Sequence, residues 1–115
     1  MVPPTYVDVG PYRYRIGWTE KRWRKVIRQT ENVSSAYTCN ATLRIDIEPG
    51  LAYGAAREVL MHELMHAAAK CSVGWDTIDV AAEGIDGEEL AIRMLSPHML
   101  DILRRNPHVV AWLTA

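Results

Sequence analysis

Val59-Leu60-Met61-His62-Glu63-Leu64-Met65-His66-Ala67 is the stretch on which the reading of this 115-residue chain turns, because it sets His-Glu-x-x-His inside an apolar run. Residues four apart share one face of a helix, so the imidazoles of His62 and His66 lie close enough to hold one metal ion. Glu63 falls on the neighbouring face, where its carboxylate can handle the proton of a metal-activated water. The helix around them is predicted to begin between residues 51 and 54 and to run to about Lys70. Ala55, Ala56, Val59, Leu60, Leu64, Ala67 and Ala68 make it apolar over most of its circumference, which predicts a central element. Histidines placed there lose hydration unless something satisfies them. In the competing reading they are core histidines held by hydrogen bonds, with Glu63 as a surface charge.

A catalytic zinc needs a third protein ligand and an open position. Cys71 follows His62 by nine residues and so points about half a turn away; it reads as a buried or loop thiol. The downstream carboxylates remain, in the order Glu88, Glu89, Glu83. A helix starting near Gly87 would put Glu88 on an inward stripe with Ala91, Ile92 and Leu95, and Glu89 beside Arg93 and Ser96. Glu88 also reads as a first-turn carboxylate favoured by the helix dipole. His98 and His108 each follow a proline at a helix start, are expected to be exposed, and receive no role.

Upstream, residues 12–18 alternate Tyr12, Tyr14, Ile16 and Trp18 with polar neighbours, the pattern of a half-buried strand. Thr19 then reads as the N-cap of an amphipathic helix to about Gln29. Its inner stripe is Trp23, Val26, Ile27 and Thr30, and Lys21, Arg22, Arg24, Lys25 and Arg28 face outward. That basic face reads better as solvated than as a nucleic-acid site, since net charge is -1. Residues 37–39 and 43–47 flank Asn40-Ala41-Thr42 as a hairpin, with Leu43, Ile45 and Ile47 on a single buried face, and Pro49-Gly50 ends it. Residues 72–86 read as a loop. Gly87 to Leu95, a second helix opened by Ser96-Pro97, and a last turn from Asn106-Pro107 to Leu113 complete the chain.

Length suits one domain, residues 1–115, and 49% hydrophobic with 23% charged residues is the balance of a soluble globule. Cys39 and Cys71 read as reduced thiols. The start shows neither a charged nor an apolar leader segment, and no apolar run reaches the ~18 residues of a membrane span. The expected compartment is the cytoplasm.

The order of these elements, with the motif, resembles the small zincin-like metallopeptidases of phages and prophages, minimal gluzincins. Three stretches carry the resemblance: Thr42-Leu43-Arg44-Ile45-Asp46-Ile47, the HExxH stretch quoted above, and Glu88-Glu89 through Leu103-Arg104-Arg105-Asn106-Pro107. It implies an α+β fold, with a small antiparallel or mixed sheet packed on the HExxH helix and C-terminal helices beside it. It implies Zn2+ held by His62, His66 and a glutamate of the Glu88-Glu89 pair, with Glu63 as base. The strand before the motif helix would be the sheet edge along the cleft, where a peptide substrate adds as an extra strand. Tyr37, Tyr53 and His98 are the candidates for steadying the oxyanion. Two other expectations stand beside peptide hydrolysis. One is a zinc-stabilised, non-catalytic assembly or host-factor-binding protein of a phage; the other is a small DNA-associated regulator using Arg24 and Arg28.

Overall fold

Val7 and Val9 alternate with Tyr6 and Asp8, and Gly10, at φ 55°, turns the chain where a side chain would be strained. The result is a hairpin of β1 (Tyr6–Val9) with β2 (Tyr12–Gly17), antiparallel, with Val7 opposite Tyr14 and Val9 opposite Tyr12. The sequence reading contained β2 but not β1. The computed structural model describes residues 1–31, 34–72, 75 and 85–115, with the side chains of residues 85 and 86 left aside.

β2 runs parallel to β4 (Arg44–Ile47), and β4 pairs antiparallel with β3 (Ala36–Cys39), giving a mixed sheet in the order β1-β2-β4-β3. The expected hairpin of β3 and β4 is present. Its place in the sheet differs from the expectation that the strand before the motif helix is the edge. β4 is paired on both sides, and the edge on that side of the sheet is β3. Burial explains this: Ile45, Asp46 and Ile47 are all within 3% of full burial, whereas every residue of β3 is half-exposed.

That burial also corrects the single buried face expected of β4. Ile45 and Ile47 face the main core, while Asp46 is covered from the other side by α1 (Glu20–Gln29). Thr19 caps α1 by accepting from the Arg22 N–H, and Trp23 and Val26 are its buried residues. Ile27 is 51% exposed, so the inner stripe is narrower than predicted. Arg22 does not face outward: it reaches Asp46 at 3.4 Å, and Arg44 reaches the same carboxylate at 3.1 Å. A carboxylate taken from water needs such partners. Gly17 lies opposite Asp46 because only a residue without Cβ fits; a Cβ there would overlap the Asp46 carboxylate and crowd the Arg44 guanidinium.

The other face of the sheet carries the core. Val7, Val9, Tyr14, Ile16, Ile45 and Ile47 pack on α2 (Tyr53–Cys71), α3 (Ile85–Arg105) and α4 (Pro107–Leu113). α2 buries Ala56, Leu60, Leu64, Ala67 and Ala68 toward the sheet, and the alanines allow close approach. It is not wrapped in protein as its composition suggested, since Tyr53 and Met65 are exposed.

α3 is one helix where two were predicted. Pro97 sits inside it, and its ring is compatible with helical φ; the cost is the missing N–H to the Arg93 carbonyl, on an exposed face. Ser96, expected to cap a new helix, instead donates its hydroxyl to the Ile92 carbonyl at 2.6 Å.

After α3, Asn106 is fully buried and clasps β1. Its Oδ1 accepts from the Asp8 N–H, and its Nδ2 donates to the Asp8 and Ile102 carbonyls, at 2.7–2.8 Å. The side chain thus pairs with the outer edge of β1 as a neighbouring strand would. His108, expected to be exposed, is half-buried: its ring stacks on Tyr6 and its Nε2–H donates to the Tyr6 carbonyl at 2.9 Å. No helix among the described residues is long and apolar enough to cross a membrane.

Candidate metal centre

After β4 the chain reverses at Glu48–Gly50, with Gly50 at φ 85°, so α2 runs antiparallel to β4 and parallel to the edge strand β3. Between α2 and β3 lies a groove of about 680 Å³. One row of α2 faces it at helical spacing: Glu58, His62, His66 and Lys70, all exposed. Val59 and Glu63 form its floor on the helix side, and Tyr37, Thr38 and Asn40 come from β3 and its following turn.

The competing reading, core histidines with Glu63 as a surface charge, is reversed. The His66 side chain is 60% exposed, so the rings keep their hydration, and the Glu63 side chain is only 6% exposed. The reason is the position of the sheet. α2 turns the arc of Leu60, Glu63, Leu64 and Ala67 toward it, and the adjacent arc of His62 and His66 lies along the groove.

The two Nε2 atoms lie 3.1 Å apart, with ring centroids 4.8 Å apart. That separation suits two neutral rings sharing one N–H. It also suits two nitrogens on one tetrahedral zinc, which at Zn–N of about 2.05 Å lie about 3.3 Å from each other. Glu63 Oε2 is 3.9 Å from His66 Nε2 and has no hydrogen-bond partner among the described residues. The ligand atoms of His62, Glu63 and His66 all lie within 4.8 Å of one another, so this trio could hold a metal ion. A buried carboxylate oxygen without a partner is costly, and a cation beside it removes that cost.

The downstream glutamates are not brought to the trio. Glu88 is exposed in the first turn of α3, and the inward stripe expected to contain it is rotated. Gly87, Ala91 and Ile102 are buried, with Leu95 and Met99 packed against the core, while Ile92 is turned out with Glu88. With Gly87 and Ala91 buried, the first turns of α3 present Glu88 and Ile92 outward. Glu89 is also exposed and pairs with Arg93 at 3.2 Å, the neighbour expected of it. Glu83 lies outside the described residues.

Comparison with protein-family models, with curated proteins and with solved structures returns no match. The chemistry of the site therefore rests on its own atoms.

Of the three oxyanion candidates, Tyr37 borders the groove from β3, but it stands opposite Asp46 in the sheet and so shares the α1 face rather than the face toward the histidines. Tyr53 is 60% exposed with the Arg57 guanidinium over its ring, and His98 is half-buried on α3 away from the groove lining. Glu58 and Lys70 were not singled out in the sequence. Their signal was there, as one turn before and one turn after the histidine pair, but the groove that gives it meaning comes from the edge strand. Cys39 and Cys71 are both free. Burial pushes the Cys71 thiol up, and a hydrogen bond from the Thr42 side chain holds Cys39 below its ordinary value.

Proposed function

We propose that this chain is a zinc-dependent peptidase of zincin-like fold, in which His62 and His66 hold the metal and Glu63 is the general base. One observation carries the reading. Two imidazole nitrogens converge to 3.1 Å beside a buried carboxylate oxygen that has no partner among the described residues, in a groove open to solvent. The 3.9 Å from Glu63 Oε2 to His66 Nε2 exceeds the ~3.3 Å between two ligands of one tetrahedral zinc. That favours Glu63 as a proton carrier over Glu63 as a ligand. Bound here, zinc would lower the pKa of a water molecule and polarise the substrate carbonyl.

The chain's own part is positioning and proton transfer. β3, as an edge of the sheet, offers N–H and C=O groups along which an extended peptide can lie across the histidines. Glu63 takes the proton of the attacking water and returns it to the departing amine nitrogen. Its burial holds the carboxylate in place, and the apolar floor at Val59 keeps bulk water from that side. The third protein ligand is one of Glu83, Glu88 and Glu89. Use of Glu88 or Glu89 requires the first turn of α3 to roll toward the groove, whereas Glu83 precedes that helix.

The test is metal content and casein hydrolysis for the wild type, His66→Ala and Glu63→Gln. The expected result is about one zinc per wild-type chain, lost in His66→Ala. Glu63→Gln should keep the metal and lose about 100-fold or more in hydrolysis. A wild type that takes up no zinc, or a Glu63→Gln variant as active as the wild type, refutes the proposal.

A further inference from the structure

The charges along the groove are sorted. The exposed row of α2 reads Glu58, His62, His66, Lys70, so a carboxylate stands one turn before the histidine pair and an ammonium one turn after it. Because α2 and β3 run parallel, the start of β3 lies at the Glu58 end and its finish at the Lys70 end. Glu31, Ser34 and Ser35 line the groove just before β3, which adds a second carboxylate to the acidic end. At the other end Lys70 is joined by Trp75 and Asn40. No ion pair links Glu31, Glu58 or Lys70 to another described residue.

Helical rise sets the scale. Glu58 and Lys70 are about 18 Å apart along the axis, each about 9 Å from the midpoint of the histidine pair. An extended peptide advances about 3.4 Å per residue, so each charge stands opposite a side chain two to three residues from the bond over the histidines.

We infer that the groove selects peptides carrying opposite charges on the two sides of the scissile bond, with an acidic side chain over Lys70 and a basic one over Glu58 and Glu31. This rests on the peptidase reading, and it names the substrate class of that same groove. Both charge pairs are partly exposed, so the preference is moderate and falls with salt.

The experiment uses the zinc-loaded protein and four decapeptides that differ only two and three residues from a central bond. Their charges there are acidic then basic, basic then acidic, neutral on both sides, and acidic on both sides. One of the two mixed peptides should exceed the neutral and doubly acidic ones by about tenfold in kcat/KM in low salt. In the variant Lys70→Glu with Glu58→Lys and Glu31→Lys, the ratio between the two mixed peptides should invert. Because the readout is a ratio within one preparation, partial misfolding does not imitate it. Equal cleavage of all four, or a ratio the variant does not move, overturns the inference and leaves the peptidase reading intact. If none is cleaved, the peptidase reading fails, and fluorescence anisotropy of the same labelled peptides decides the inference. Charge-selective binding that inverts in the variant sustains it, and indiscriminate or absent binding overturns it.

Discussion

Replacing Asn106 with alanine should cost this protein a large share of its stability. The side chain is fully buried and makes three hydrogen bonds, from the Asp8 N–H and to the Asp8 and Ile102 carbonyls. At about 1 kcal/mol net per bond, their loss alone amounts to about 3 kcal/mol. The substitution also leaves the three main-chain groups without partners. Two of the bonds are only part-buried, so water recovers some of that, and the total should fall at about 3–5 kcal/mol. Against a typical domain stability of about 5–15 kcal/mol, this is a severe loss. Urea unfolding followed by tryptophan fluorescence suits the measurement, because Trp18 and Trp112 meet edge to face at 5.1 Å in the folded protein. The midpoint should fall with little change in slope, since the same surface is exposed on unfolding. Asn106→Asp is the informative companion. It keeps one acceptor, loses both donors and buries a charge, so it should be at least as damaging. A loss under about 1 kcal/mol in Asn106→Ala would refute the clamp.

Gly17→Ala should destabilise by about 1–3 kcal/mol, read in the same urea assay, because the new methyl overlaps the Asp46 carboxylate and displaces it from Arg44; an unchanged midpoint would show that the pocket yields freely. The Arg13 side chain, hydrogen-bonded to Asp8 at 2.8 Å, holds that carboxyl below its usual 3.8. A depressed folded value means that the contribution is complete above the unfolded value and lost as pH falls through the folded one. Arg13→Ala should therefore be less stable than the wild type at pH 7 by a small margin that closes in acid, and a margin constant with pH would contradict this. Cys39 should react with iodoacetamide faster than Cys71 at pH 8, because Thr42 lowers the one thiol and burial raises the other. Thr42→Val should slow Cys39, and mass spectrometry of the labelled peptides distinguishes the two sites.

Local pattern reveals what is local. The Thr19 cap, the amphipathic α1, the hairpin of β3 and β4 and the span of α2 are readable because each is carried by neighbours within one or two turns. β1 escaped because only Val7 and Val9 mark it, between Pro3-Pro4 and Gly10-Pro11, and much of its hold on the fold comes from a residue 98 positions away. Asp46 and Arg22 look like surface charges until α1 crosses the outer face of β4. Glu88 looked inward because helix phase was inferred from Ile92, whereas the buried residues of those turns are Gly87 and Ala91. At the candidate site, the convergence of His62, Glu63 and His66 was legible from i, i+4 spacing. The groove beside them was not, because it depends on which of two paired strands takes the sheet edge.

The Asn106 clamp also orders events in time. β3, β4 and α2 all lie within residues 36–71 and pack on one another, so their loops are short and cheap to close. The bond between Asp8 and Asn106 closes a loop nearly the length of the chain, and the contact of His108 with Tyr6 is of the same kind. Contacts this distant form after the local ones. The groove and its paired imidazoles should thus take shape while the outer strand is still unlatched, which stopped-flow folding of Asn106→Ala checks by a folding rate close to that of the wild type. Damage to the latch should then quicken unfolding far more than it slows folding.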